Sequence, residues 1–249
     1  MNLILFSEEE IQASGTVTLT DFRAVHIRTV LRAKAGDTLR TGVVNGLIGT
    51  SSVQSVTEES VCLSTHHTET APEPWIDLIL AVPRPKVLRR LWPQLAALGV
   101  GKIVILSAFK TERFYFSTQW LDPLHYTPLL VKGLMQAGAS RLPEVNIRKW
   151  FQRFVEEDLD KLFPNSLRLL AHPGEKCTPI PPRQEWHRPV LAVGPEGGWA
   201  EYEIEMLTKQ GFTPFSLGMR TLCTDTATIA LISALMMNMT NGMFSQYAF

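Results

Sequence analysis

The chain has 249 residues, 45% of them hydrophobic and 19% charged, and its 24 Lys+Arg balance 24 Asp+Glu to no formal net charge. That length holds one large domain or two small ones around a sizeable core, and the balanced charge excludes a strongly basic, non-specific nucleic-acid binder while leaving room for a local basic face. Cys62, Cys177 and Cys223 form no C-x-x-C pair, which argues against a disulfide framework or zinc ribbon and fits a reducing, cytoplasmic setting.

The opening "MNLILFSEEE" lacks the basic flank and cleavage-like end of a signal peptide. Up to about residue 70 the chain is rich in Thr, Val and Ser. "GTVTLT" and "SSVQSV" alternate, and "DTLRTGVVNGLIG" reads as strand, Asn45-Gly46 turn, strand. One short helix near "DFRAVHIRTVLRAKAGD" interrupts them, a pattern expected of a small β-barrel with a helix at its rim. His66-His67 has no nearby acid or cysteine, so it is expected to be surface loop, and no metal site is predicted. "TAPEPW" (70–75) carries two prolines and reads as a linker, giving domains over 1–70 and 75–249.

From Ile76 onward strands and helices alternate. "IDLILAV" is a continuous apolar strand of the kind a parallel sheet buries on both faces. Pro85 opens a helix in which Val87, Leu88, Leu91, Trp92, Leu95 and Leu98 recur with a period near 3.6, and Gly99 closes it. "KIVIL" is the next strand, followed by a helix over Leu129 to Ala137, a turn at Arg141-Leu142-Pro143 and an amphipathic helix in "WFQRFVEEDLDKLF". "LRLLA", "PVLAV" and "FSLG" are strands, and the last helix starts near Thr224-Asp225, either of which can cap it. Its apolar run "ATIALISALMMNM" falls short of the ~20 residues a membrane span needs. The alternation predicts an α/β domain with a mostly parallel sheet.

The chemistry concentrates in "PVLAVGPEGGWAEYEIEML" (189–207), where a strand ends in a glycine turn and a helix follows. Such a turn is either a ligand loop, because glycines admit close backbone approach, or a plain connection needing glycine dihedrals. Glu196, Glu201, Glu203 and Glu205 crowd the helix start. They suit the helix dipole and would repel a phosphate, and neither G-x-G-x-x-G spacing nor a P-loop lysine is present. A neutral or cationic ligand fits better, and S-adenosylmethionine, a sulfonium without phosphate, is one. "FSLGMRTLCTDTATIALISAL" repeats the grammar with a Leu217-Gly218 turn, so the two turns can converge on one ligand with Leu170, Leu217 and Leu222 as apolar wall.

"GPEGGWAEYEIEML" followed by "GFTPFSLGMRTLCTDTATIALISAL" resembles the RsmE-type ribosomal RNA uridine-N3 methyltransferases of the SPOUT class, and "HIRTVLRAKAGDTL", "QLAALGVGKIVILSAFKTER" and "GASRLPEV" resemble other segments of that family, so the likeness covers most of the chain. The resemblance implies an N-terminal PUA-like β-barrel that binds RNA, a trefoil-knotted SPOUT methyltransferase domain, a homodimer, and ribosomal RNA of the small (16S) subunit as substrate. By position it places Leu170, Ala171, Gly194, Glu196, Gly197, Gly198, Leu217, Gly218, Met219 and Leu222 at the S-adenosylmethionine site. Arg220 matches the arginine of the second loop and is the candidate stabiliser of a uracil anion, with a phosphate contact or salt bridge as its other reading. Asp225 is a candidate base or a helix N-cap.

RNA contacts are expected from Arg23, Arg28, Arg32 and Lys34, from Arg84 with Lys86, Arg89 and Arg90, from Lys110 and Arg113, and from Arg141. His26 touches RNA or packs at the rim. His172 borders the cofactor or is a satisfied loop residue. "FYF" (114–116) stacks on bases or, the stronger reading, packs in the core. Two departures from the family pattern stand out: Cys223 replaces an arginine, and Met135-Gln136-Ala137-Gly138-Ala139 replaces E-Q-S-G-R. With two guanidinium groups lost, an RNA- or ribosome-binding protein that keeps the pocket without efficient catalysis, or a SPOUT enzyme acting at another RNA position, are the alternatives to uridine-N3 methylation.

Overall fold

The computed structural model describes residues 2–173, 188–218 and 220–240. Cys177 and Met219 lie outside the described residues. The chain divides into two compact units, Met1–Glu73 with Leu130–Leu142, and Pro74–Leu129 with Pro143–Phe249.

The first unit holds β1 (Ile4–Phe6), β2 (Thr16–Leu19), α1 (Phe22–His26) running into a π-helical turn (Ile27–Leu31), β3 (Thr38–Val43), β4 (Ile48–Val56) and β5 (Val61–Glu69). The strands form one sheet in the order β1-β3-β4-β5-β2, antiparallel except for the parallel β1–β3 pair. Alternation along β2, β4 and β5 sends Val17, Leu19, Val53, Val61 and Leu63 inward, where they meet Phe6 and Ile27. The Asp21 carboxylate caps α1 by accepting the Arg23 N–H at 2.9 Å. Asn45 takes the left-handed φ of 61° that the Asn-Gly turn requires.

Two expectations fail in this unit. His66 and His67 lie in β5 rather than a loop, and His67 Nε2 lies 2.7 Å from the Thr41 hydroxyl, which in turn meets buried Ser51 at 2.6 Å. The second domain was expected to run unbroken from residue 75, yet 130–142 packs with the first unit. The Met135 carbonyl accepts N–H groups from Asn2 and Leu3, the Ser140 hydroxyl donates to the Gly46 carbonyl, and the Asn45 side chain accepts the Leu142 N–H. Met135, one of the departures from the family pattern, is therefore a buried packing residue here.

The second unit contains β6 (Ile76–Ala81), α2 (Pro85–Ala97), β7 (Val100–Leu106), α3 (Pro123–Ala137, of which the end belongs to the first unit), β8 (Glu144–Arg148), α4 (Phe151–Arg153) and α5 (Leu159–Leu162) joined by a π turn, β9 (Arg168–Ala171), β10 (Val190–Val193), α6 (Glu201–Lys209), β11 (Thr213–Phe215) and α7 (Thr224–Thr240). The six strands are parallel throughout, in the order β11-β9-β10-β6-β7-β8. Every residue of β6 is buried, as a central parallel strand demands. Leu88, Leu91, Trp92 and Leu95 form the buried stripe of α2, and one core cluster joins Ile79 and Val104 to Phe151, Phe154, Leu159, Leu207 and Phe212.

Strand β8 was missed because "EVNIR" alternates weakly and is only half-buried, as an edge strand. The expected "FSLG" strand sits earlier, at Thr213–Phe215, which frees Leu217-Gly218 to be loop. Among the described residues no helix is long and apolar enough to cross a membrane, and no group of three or more His, Cys, Asp or Glu is placed to hold a metal.

Candidate functional site

Strands β11, β9 and β10 are neighbours in register, with Ala171 opposite Phe215 and Leu170 opposite Ala192. Their carboxyl ends therefore stop at one level, and the loops leaving them meet. Together with the first turns of α7 they line a cleft of about 690 Å³, including its open mouth.

The cleft gathers Ala171, Gly194, Glu196, Gly198, Leu217, Gly218, Leu222 and Arg220 from the residues the sequence singles out. Three other described residues are not part of its lining. Leu170 is fully buried behind the wall, in the core. Gly197 turns toward Lys110, whose Cβ would stand 3.2 Å from a side chain added there. Asp225 is drawn away by an ion pair with Arg90 and lies in the first turn of α7 rather than capping it. Met219 lies outside the described residues.

Backbone needs explain the glycines. Gly198 has φ +69° and Gly218 φ +109°, values that an L side chain resists. Gly194 lies under the Trp199 indole, and a Cβ there would come within 3.2 Å of Trp199 Cδ1 and Nε1. The second loop is held by Ser216, whose hydroxyl accepts the Gly218 N–H at 3.1 Å and donates to the Gly218 carbonyl at 3.0 Å.

The four glutamates of the first turn separate into different tasks. Only Glu196 lines the cleft, and its Oε1 accepts the Arg84 N–H at 3.0 Å, tying the turn to the loop after β6. Glu203 is fully buried and accepts two N–H groups, from Phe109 and Ala200, each at 2.8 Å. Glu201 and Glu205 are exposed on α6. The Lys110 ammonium donates to the Trp199 carbonyl at 3.2 Å, so this lysine braces the turn. Arg220 is exposed and is the only Lys or Arg among the described lining residues.

Local pattern gives no sign of Trp199 as a wall residue and reads Glu203 only as one of four acids that would repel a phosphate, and the satisfied-loop reading preferred for His172 gives way, since His172 lines the cleft. Trp199 forms part of the wall, and its Nε1 is buried without a hydrogen-bond partner. A signal for Glu203 was present: it stands three residues after Ala200, the spacing at which a glutamate reaches back to the N-cap N–H.

The basic residues also divide. Arg28, Arg32 and Lys34 line a shallow groove in the first unit, with Arg28 Nη1 donating to the Thr57 carbonyl at 3.2 Å. Arg84 and Arg113 are exposed in the second unit. Arg89 instead lies over the Trp120 ring at 4.9 Å, and Arg141 pairs with Glu73. Arg23 is a structural residue: its guanidinium pairs with Glu10 and Asp21 and donates to the Leu5 carbonyl at 2.7 Å, leaving 12% of the side chain exposed.

Arg23→Ala is accordingly expected to destabilise the first unit by about 1–3 kcal/mol, less than a fully buried pair because both acids reach solvent. Urea unfolding checks this. The Arg23 hydrogen bond holds the Glu10 carboxyl below its ordinary 4.5. A lowered folded-state pKa gives stability that is present above the unfolded value and lost as pH falls through the folded one. The variant should therefore lose part of the wild-type decline in stability below about pH 4.5.

The sequence matches a family profile described as an RNA methyltransferase domain over residues 70–236. It is 28% identical to the ribosomal RNA small subunit methyltransferase E of Treponema pallidum, covering 96% of this chain and 91% of that protein. It is 25% identical to the protein of the same name from Bacillus subtilis, covering 93% and 94%. Among solved structures, the ribosomal RNA small subunit methyltransferase E of Neisseria gonorrhoeae bound to S-adenosyl methionine superposes with a TM-score of 0.73 at 23% identity, over 94% of this chain and 97% of that one. A Legionella pneumophila structure in complex with SAM gives 0.69 at 25% identity, over 95% and 97%. The profile spans the strands and loops that build the cleft, and on that match the chain belongs to the RNA methyltransferase family.

Proposed function

We propose that the chain transfers a methyl group from S-adenosylmethionine to N3 of a uridine in small-subunit (16S) ribosomal RNA. The observation that carries the reading is the convergence of two glycine bends on one cleft whose only described lining cation is Arg220. Such a cleft offers little to a pyrophosphate and suits a sulfonium nucleoside. The names of the relatives and the S-adenosylmethionine in two structures of the same fold support the same choice.

The residues fit that cofactor. Backbone at Gly194, Gly198 and Gly218 is bare where a side chain would strain or clash. Ala171, Leu217 and Leu222 supply apolar wall, Glu196 is the anionic group at the mouth, and the unpartnered Trp199 N–H is a buried donor in the wall. Leu170 and Gly197 support the site from behind rather than line it. When bound, the cofactor supplies an activated methyl for in-line displacement. The chain's own contribution is to orient the reactants and to stabilise charge on uracil once N3 has lost its proton. Arg220 is the group for that charge, shared between O2 and O4. Asp225, paired with Arg90, is a positioning residue for the start of α7.

The first unit serves as the PUA-like RNA-binding domain, with Arg28, Arg32 and Lys34 on the phosphate backbone, and Arg84 and Arg113 add contacts in the second. That second unit is read as the SPOUT domain, knotted and dimeric as its family resemblance implies, in a cytoplasmic protein.

Deleting the gene and measuring RNA nucleosides by mass spectrometry tests the assignment. The 3-methyluridine of small-subunit RNA should vanish together with the reverse-transcription stop it causes. Persistence of both in the deletion would remove the uridine-N3 assignment. For the cofactor, Gly197→Val is expected to weaken S-adenosylmethionine binding about tenfold or more by pushing against Lys110 and displacing the turn. Isothermal titration should show this with the thermal unfolding profile retained.

A further inference from the structure

Strands β10, β6, β7 and β8 are adjacent and parallel, so the segments at their carboxyl ends share one rim of the sheet. Three of these segments each present an aromatic ring to solvent. Phe109 after β7 and Trp150 after β8 are both 72% exposed, and Tyr202 at the start of α6 is 47% exposed. Single exposed apolar residues need no explanation, but a connected group does. Phe109 meets Tyr202 edge-on at 5.9 Å, Tyr202 meets Phe151 at 6.4 Å, and Phe151 meets Trp199 at 5.8 Å. Trp199 lines the cleft and Trp150 directly precedes Phe151. A continuous run of ring contacts thus leads from the cleft wall to the rim.

The charges around the rim are unevenly placed. Beside Trp150 a shallow depression is lined by Arg148, Lys149 and Arg153. The neighbouring acids are already paired, Asp158 with Arg148 and Glu157 with Arg153, each at 2.9 Å. Lys149 is exposed and no ion pair holds it among the described residues. Glu201 and Glu205 flank Tyr202 on α6. A phosphate therefore finds its cation on the β8 side, and the Tyr202 side admits uncharged rings better than phosphates.

We propose that this rim is a stacking platform for unpaired nucleotides next to the target base, with bases on Phe109, Tyr202 and Trp150 and a phosphate at Lys149. Every base has a π face, so such a platform holds single-stranded RNA without reading its sequence. The inference rests on the RNA-substrate reading above and adds where the flanking strand lies.

Fluorescence anisotropy with a short uridine-containing single-stranded RNA tests it on the full chain. Phe109→Ala, Tyr202→Ala and Trp150→Ala should each raise the RNA Kd about 5- to 10-fold. Each should leave S-adenosylmethionine affinity and the salt dependence of RNA binding unchanged, and Trp150→Phe should restore most of the loss. Lys149→Ala should instead reduce the salt slope by about 0.7, the share of one phosphate on a single strand. An unchanged RNA Kd in the Phe109→Ala/Trp150→Ala double variant, while the wild type binds and methylates RNA, overturns the platform and leaves the proposed function standing. So does a shift in oligomeric state by sedimentation without a change in RNA affinity, which would make the rim a contact between copies of the chain. A wild type that neither binds nor methylates RNA removes both.

Discussion

Arg220→Ala is expected to lower the methyl-transfer rate by about 10²–10³-fold, the effect of removing one preorganised donor from a developing anion. The position of the side chain is the reason. Arg220 is the only described cation lining the cleft, and no ion pair holds it among the described residues. Uracil N3 becomes a good nucleophile only as its proton leaves, and the resulting charge on O2 and O4 needs a nearby donor. Affinity for S-adenosylmethionine should stay within a few-fold, since the glycine bends, Leu217 and Leu222 are untouched. Arg220→Lys should recover only part of the rate, because a point charge replaces a planar fork that can face two oxygens. Single-turnover measurements at saturating cofactor and RNA isolate the step. A variant that turns over normally but binds RNA more weakly, with a salt slope smaller by about 0.7–0.9, would make Arg220 a phosphate contact instead.

The parts of this fold legible in the sequence are those written by local rules. The buried strand "IDLILAV", the Pro85-to-Gly99 helix and the Asn45-Gly46 turn appear where periodicity and turn chemistry place them. The two glycine bends are legible for the same reason, since positive φ at Gly198 and Gly218 leaves glycine in the chain. What the sequence hides is tertiary. Nothing local tells that 130–142 would pack with the first unit, because the hydrogen bonds that hold it come from residues such as Asn2 and Asn45, far away in the chain. Nor does local pattern tell which arginines are free. Arg23 looks like its basic neighbours until its partners Glu10 and Asp21 are seen.

The acidic turn shows the same limit in one stretch. Glu196, Glu201, Glu203 and Glu205 read alike as repulsion against phosphate, yet one faces the ligand cleft, two face solvent and one is interior. The exclusion of phosphate therefore rests on the shortage of cations in the cleft more than on a ring of acids. The aromatic rim is hidden similarly. Phe109, Trp150 and Tyr202 lie on three separate segments, and only the parallel register of β10, β6, β7 and β8 brings those segments to one side.

Glu203→Ala is expected to cost far more stability than an ordinary surface substitution. The carboxylate is fully buried, and its two oxygens take the Phe109 and Ala200 N–H groups at 2.8 Å each. Alanine leaves both donors without acceptors, and each unmet buried donor costs about 1–3 kcal/mol. Removing a buried charge returns part of that, because its desolvation penalty disappears as well. A net loss of about 3 kcal/mol is expected, or roughly 6–12 °C in Tm for a chain of this size. The effect should also reach the cofactor, because Glu203 fixes the loop after β7 against the segment that follows the glycine turn. Lys110 from that loop braces Gly197 and the Trp199 carbonyl. Glu203→Gln separates the two roles. Its amide oxygen can still accept one N–H while its NH₂ opposes the other, so about half of the stability loss should remain and cofactor affinity should recover in part. Calorimetric melting and cofactor titration on the two variants check the pair of outcomes. Melting of Glu203→Ala at the wild-type temperature would mean that water reaches both N–H groups, and that the loop and the turn are held together by packing of Trp199 and Phe151 alone.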